Sequence, residues 1–144
     1  MSTPALICDT GALLDYLVSA STDHAAFREA IDQARARYVP ALVLPEVDYF
    51  LRKERRAMRM FMSDVSRGAF TYAPATPELL DRAMEIDREH ATLGLGLVDA
   101  SVMALAEQLG VYRVATRDVR HFAAGRLRGG RRIDLVVRPL RAER

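Results

Sequence analysis

Ala5-Leu6-Ile7-Cys8-Asp9-Thr10-Gly11-Ala12-Leu13-Leu14 changes its period halfway along. The first four residues form an unbroken apolar run that ends at an acid and a turn-forming glycine, the pattern of a short buried strand. From Thr10 to about residue 18 the apolar residues Leu13, Leu14, Leu17 and Val18 recur at helical spacing instead. A strand that passes through one acid straight into a helix is the opening of an alternating strand–helix chain.

The same alternation continues outward. Thr22 or Asp23 can cap a helix reaching about Arg37, with Ala26, Phe27, Ala30 and Ala34 on one face. Tyr38-Val39-Pro40-Ala41 reads as a short extended piece, and Pro45 sits where the first turn of a third helix begins. A fourth helix spans Arg56 to Ser66 and closes at Gly68. Phe70 to Pro74 reads as an edge strand. Thr76-Pro77-Glu78 starts a helix with a cap, a proline at the first position and an acid in the first turn. That helix points Leu79, Leu80, Ala83, Met84 and Ile86 inward. Leu97 to Leu109 forms another helix, stopped by Gly110, before strands at 111–116 and 133–137. Strands alternating with helices predict an α/β fold, a mainly parallel sheet with helices on both faces. With 144 residues, no repeat and no linker, residues 1–144 are expected to form one domain.

Composition narrows the function classes. No apolar run approaches the roughly 18 residues that cross a bilayer. The first ten residues lack a basic region followed by a long apolar segment, so they do not read as a secretion signal. The lone Cys8 allows no intrachain disulfide, which suits a cytoplasmic protein, and its apolar neighbours mark it as a core residue. The net charge of +2 is unevenly spread: residues 1–112 carry 11 basic and 16 acidic side chains, whereas residues 113–144 carry 10 arginines and 3 acids. That asymmetry, with a second cluster of Arg52, Lys53, Arg55, Arg56 and Arg59, suggests a polyanionic partner, although solvated helix faces would look the same. Only one of the 21 basic residues is lysine and asparagine is absent, a coding bias that makes the choice of arginine uninformative.

Four acids stand where such folds bind ligands. Asp9 directly follows the first strand, and Asp118 follows the strand ending at Thr116; the crevice beyond strand carboxyl ends is the usual binding place. Asp99 and Glu46 lie in first helical turns, where dipole complementation alone can explain an acid. The flanking residues argue for more. Asp9 and Asp99 are set among apolar residues without a nearby lysine or histidine in sequence, and carboxylates crowded without a cation call for a divalent ion. Oxygen ligands of this kind suit Mg²⁺, or Mn²⁺.

Ile7-Cys8-Asp9-Thr10-Gly11-Ala12-Leu13, Pro40 to Val47, Leu95-Gly96-Leu97-Val98-Asp99-Ala100-Ser101 and Val114 to Phe122 resemble, in order and interval, the motifs of PIN-domain ribonucleases, and more narrowly of VapC-type toxins from bacterial toxin–antitoxin pairs. The resemblance runs over nearly the whole chain. It implies a three-layer α/β/α sandwich. It makes Asp9, Glu46, Asp99 and Asp118 the catalytic acids, with Asp9 and Asp99 direct metal ligands and Glu46 and Asp118 direct or through water. Thr116 becomes a hydroxyl close to the metal. The implied activity is Mg²⁺-dependent cleavage of structured RNA (tRNA or rRNA), leaving a 5′-phosphate and a 3′-hydroxyl, with Arg117 and Arg120 holding flanking phosphates. The implied partners are a VapB-type antitoxin and a second copy of the chain in a homodimer.

Other residues receive blander readings. His121 is expected to cap or pack its helix, His24 and His90 to lie on the surface, and Asp15 and Asp48 to be surface acids. Met58, Met60 and Met62 suit packing or a partner surface, and Tyr49, Phe50 and Phe61 a groove for a partner helix. Asp9-Thr10-Gly11 matches the aspartic-protease triplet, but the helical period that follows it excludes that all-β architecture. Gly11 occupies the place where an aspartyl phosphatase needs its second acid. The remaining alternative is a catalytically idle PIN-like module that binds RNA or protein, which a groove gathering four acids makes a poor fit for a phosphate backbone.

Overall fold

The computed structural model describes residues 4–140, so Arg141 and Arg144 of the basic tail lie outside the described residues. Five short strands, β1 (Leu6–Cys8), β2 (Arg37–Pro40), β3 (Thr71–Ala73), β4 (Arg113–Ala115) and β5 (Asp134–Leu135), form one sheet in the order β3-β2-β1-β4-β5. Every pairing is parallel. The expected mainly parallel sheet is therefore wholly parallel among the described residues.

Seven α-helices connect and cover it: α1 (Thr10–Leu17), α2 (His24–Gln33), α3 (Val43–Phe50), α4 (Arg55–Ser66), α5 (Pro77–Glu89), α6 (Gly96–Leu109) and α7 (Val119–Ala124). Parallel strands need right-handed crossovers, which put α1–α4 on one face of the sheet and α5–α7 on the other. The packing agrees: α1 lies against α2 and α3, and α6 against α5 and α7. The strand order reverses direction between β1 and β4, so the crevice at their carboxyl ends is the topological switch point.

The apolar pattern explains the layers. Leu6, Ile7 and Cys8 are fully buried because both sheet faces are covered. Cys8 is the small core residue its neighbours suggested, and burial pushes its thiol up to about 12. In α6, every residue from Ala100 to Ala106 is buried, as befits a helix held between the sheet and two other helices. Thr76 caps α5 through an Oγ1 that accepts from the Leu79 amide at 3.2 Å.

Some expectations need correction. α2 ends at Gln33, because Ala34 turns extended to feed β2. Met84 is largely exposed, since the inward stripe of α5 is Leu79, Ala83 and Ile86. Phe61 is fully buried and forms an edge-on aromatic pair with Phe70, so it belongs to the core and not to a surface groove. Residues 123–132, which carry no sharp motif, are built into the fold. The Arg126 amide donates to His90 Nε2 at 3.0 Å, the Arg128 amide donates to Glu107 Oε2 at 2.8 Å, and the Arg131 guanidinium stacks 3.9 Å from the Tyr112 ring centroid. His90, whose Nδ1 also sits 2.8 Å from the Ile86 carbonyl, is thus a half-buried bridge rather than a surface residue.

Candidate active site

Asp9, Glu46, Asp99 and Asp118 line one cleft of about 510 Å³ at the carboxyl ends of β1 and β4. Each arrives on a different element. Asp9 leaves β1 with its amide bonded to the Ala115 carbonyl of β4 (2.9 Å) and occupies the position before α1. Glu46 is in the first turns of α3 and Asp99 in the first turn of α6. Asp118 caps α7, accepting from the His121 amide at 3.2 Å. All four carboxylates therefore meet helix amino ends, whose partial positive charge favours them.

Hydroxyls fix the acids in place. Thr116 Oγ1 donates to Asp9 Oδ2 at 2.7 Å and accepts from the Asp118 amide at 2.9 Å, joining two of the acids through one side chain. Thr10 Oγ1 donates to Glu46 Oε1 at 2.5 Å and ties α1 to α3. The Thr116 hydroxyl thus sits beside the acids, as expected for a residue that orients ligands.

Electrostatics sets the cleft apart. Burial pushes Asp9 up to about 6, opposed by the Thr116 and Thr10 hydrogen bonds and reinforced by the charges of Glu46 and Asp118. Burial also raises Asp99, helped by the Asp9 charge, a carboxyl–carboxyl hydrogen bond to Asp118 and the charges of Asp118 and Glu46. Among the described residues no arginine or lysine forms an ion pair with any of the four. An array of oxygen donors with no lysine or arginine among the described residues to offset their mutual repulsion fits a divalent cation.

His121, expected to cap or pack its helix, belongs to the cleft instead. Asp118 caps its amide, and its ring enters the cleft: Nδ1 lies 2.6 Å from Asp99 Oδ2 and 2.8 Å from Asp118 Oδ2. Asp99, Asp118 and His121 together offer atoms close enough to share one ion. The available signal was spacing, since an acid that caps a helix faces the side chain three residues on.

Arg117 has a different occupation from the one expected. Its guanidinium pairs with Asp15 and with Asp23 (2.8 Å to Asp23), and its aliphatic stem packs on Gly11, where an added Cβ would approach Arg117 Cγ to 3.0 Å. Asp15 is correspondingly buried and is not the surface acid its sequence context suggested. His24 Nδ1 bonds the Asp15 carbonyl at 2.8 Å, which also removes it from the free surface. Arg120 is exposed, on the same helix as His121.

This constellation defines a class. Residues 6–127 match the PIN domain. Ribonuclease VapC26 of Mycobacterium tuberculosis is 33% identical over 134 residues, covering 91% of this chain and 99% of that protein. The fold is shared with the crystal structure of Mycobacterium tuberculosis VapC20, described as a sarcin–ricin loop cleaving toxin (TM-score 0.68, 19% identity, 76% of this chain and 86% of that one). It is also shared with VapBC2 from Rickettsia felis bound to a DNA fragment from its promoter (TM-score 0.62, 14% identity, 82% of this chain and 90% of that one). The chain belongs to the PIN-domain nucleases and, within them, to the VapC ribonucleases.

Proposed function

We propose that the protein is the toxin of a VapBC-type pair, a Mg²⁺-dependent endoribonuclease that hydrolyses phosphodiester bonds in structured RNA, tRNA or rRNA. The observation that carries this reading is four carboxylates from four elements in one cleft without a lysine or arginine partner among the described residues. Mn²⁺ can replace Mg²⁺ on the same oxygen donors.

Asp9 and Asp99 are the proposed direct ligands, with Glu46 and Asp118 binding directly or through water. The bound cation supplies Lewis-acid polarisation of the scissile phosphate and lowers the pKa of water for in-line attack. The chain's own part is positioning. Thr116 fixes the Asp9 carboxylate and the Asp118 turn together, and Thr10 holds Glu46 against α1. A carboxylate left free of the cation orients the water and takes its proton, and the scissile bond leaves a 5′-phosphate and a 3′-hydroxyl. Arg120 remains a proposed contact for a flanking phosphate, whereas the ion pairs of Arg117 reserve its guanidinium for the fold.

Further parts of the proposal are a VapB-type antitoxin as partner, a homodimer, residues 1–144 acting as one domain, and a cytoplasmic location. VapC26 bears the name of a VapC ribonuclease, and the Rickettsia felis neighbour is a VapBC complex. Among the described residues no helix is long and apolar enough to cross a membrane.

The test is cleavage of purified tRNA and rRNA by the full-length protein. Mg²⁺ should support cutting that leaves new 5′-phosphate ends, and EDTA should abolish it. Asp9→Ala should lower the rate by about a thousandfold or more, the several kcal/mol of charge stabilisation that a cation supplies. Intact RNA in the presence of Mg²⁺, with Asp9→Ala binding RNA as well as the unaltered protein, would leave an idle binding module instead.

A further inference from the structure

A cleft holding four carboxylates repels the polyanion it is proposed to cut, so cations must stand close to its rim. Arg117 lies nearby but is held by Asp15 and Asp23. In the C-terminal arginine cluster, Arg131 stacks on Tyr112 at the amino end of β4, the opposite end of the sheet from the acids.

The other direction out of the cleft is α3. Glu46 faces the cleft, and Phe50, one turn further on, lines its rim while remaining 58% exposed. Tyr49 beside it is 59% exposed, and the two rings meet edge to face with centroids 5.5 Å apart. The Arg52 guanidinium lies 4.3 Å over the Tyr49 ring. The chain then presents Lys53, Arg56 and Arg59, all exposed and without an ion-pair partner among the described residues; Arg55 pairs with Asp48 at 2.8 Å. Two solvent-facing aromatic rings, one of them under the Arg52 guanidinium, line or adjoin the cleft and are followed in the chain by exposed cations without ion-pair partners among the described residues, a combination of stacking and charge of the kind single-stranded nucleic acid uses.

We propose that the strip from Tyr49 to Arg59 binds the single-stranded RNA segment flanking the scissile phosphate. Phe50 and Tyr49 stack on its bases, and the basic residues beyond them neutralise its phosphates. The inference rests on the nuclease reading and extends it to one side of the cleft. A partner protein helix is the competing occupant. Five cations between positions 52 and 59 against only Asp48 and Glu54 favour a polyanion, and the burial of Phe61 removes one wall of an apolar helix groove.

The experiment measures fluorescence anisotropy of a short labelled single-stranded RNA, using the full-length protein with Asp99→Asn in every sample to silence cleavage. Phe50→Ala and Tyr49→Ala should each weaken binding by about tenfold, a typical loss for one stacked base. Arg56→Glu with Arg59→Glu should weaken it further and flatten its salt dependence by about 0.7 in log–log slope for each phosphate no longer neutralised. All four positions are exposed, and unchanged circular dichroism melting separates weaker binding from impaired folding. Variants that bind within about twofold of the parent at every salt concentration overturn the proposal, and so do variants that keep RNA binding but lose antitoxin association. The nuclease reading fails separately: strip-dependent RNA binding, with the unaltered protein cutting nothing in Mg²⁺, would sink it and leave the strip standing.

Discussion

Two buried acids stand at the two ends of α1, Asp9 just before it and Asp15 within it, and the protein treats them in opposite ways. Asp15, towards its carboxyl end, is paired with Arg117, which also reaches Asp23 and joins the β4–α7 turn to the α1–α2 connection. Asp9, at its amino end, faces three further carboxylates and has no arginine or lysine partner among the described residues. The fold is thus able to neutralise a buried carboxylate with arginine a short way from the cleft, and does so again where Arg82 meets Glu107 at 2.7 Å. Leaving the four acids without an arginine or lysine, with only the His121 ring shared by Asp99 and Asp118, keeps the cleft short of positive charge until something from outside supplies it. Stability is sacrificed at the site and recovered at the clamp beside it.

Removing the clamp should have the largest effect on stability. Arg117→Met would take the guanidinium from two buried carboxylates, and loss of one partner from a buried ion pair costs about 3–5 kcal/mol. Chemical denaturation should show that loss, and adding Asp15→Asn and Asp23→Asn to the same protein should recover much of it. A loss within about 1 kcal/mol would mean that the clamp is not the stabilising counterpart of the cleft.

A change of opposite sign is expected inside the cleft. Asp99→Asn keeps the shape and removes the carboxyl that burial and the neighbouring acids hold raised, so the metal-free protein should gain about 1–2 kcal/mol near neutral pH, net of the His121 contact it weakens. That gain corresponds to a rise in Tm of about 2–8 °C for a domain of this size. Cleavage should be lost in the same variant. A metal-free Asp99→Asn protein that melts lower than its parent would break the contrast between the two ends of α1.

The sequence carried the layers and three of the four positions of the site for different physical reasons. Period changes at Cys8–Asp9 and at Gly110–Val111 are local, so most strands and helices could be read within a residue or two of their bounds, the end of α2 excepted. Asp9 and Asp118 announced themselves by following strands. Glu46 follows no strand directly, and only family resemblance joined it to the others; in the structure Thr10 makes the link. What sequence could not give was partner choice across long separations. Arg117 and Asp15 are 102 positions apart, and nothing local reveals that the arginine beside Asp118 binds an acid of α1 and does not line the cleft. The side-chain direction of His121 was hidden for a similar reason, because its contact with Asp99 spans 22 positions.

The central claim is that the cleft is an incomplete charge system completed by a divalent cation, and thermal melting across pH with and without Mg²⁺ tests it most directly. A carboxyl group whose folded pKa is raised stabilises the fold fully below its unfolded value near 4, and that contribution is lost as pH rises through the folded value. For Asp9 the folded value is about 6, and Asp99 is also raised. The metal-free protein should therefore lose Tm as pH rises through about 6. Mg²⁺ binds only the native, deprotonated cleft, so the gap between the two melting curves should widen over the same range. In a protein carrying both Asp9→Asn and Asp99→Asn the gap should close. Melting curves that coincide with and without Mg²⁺ at every pH would contradict the account.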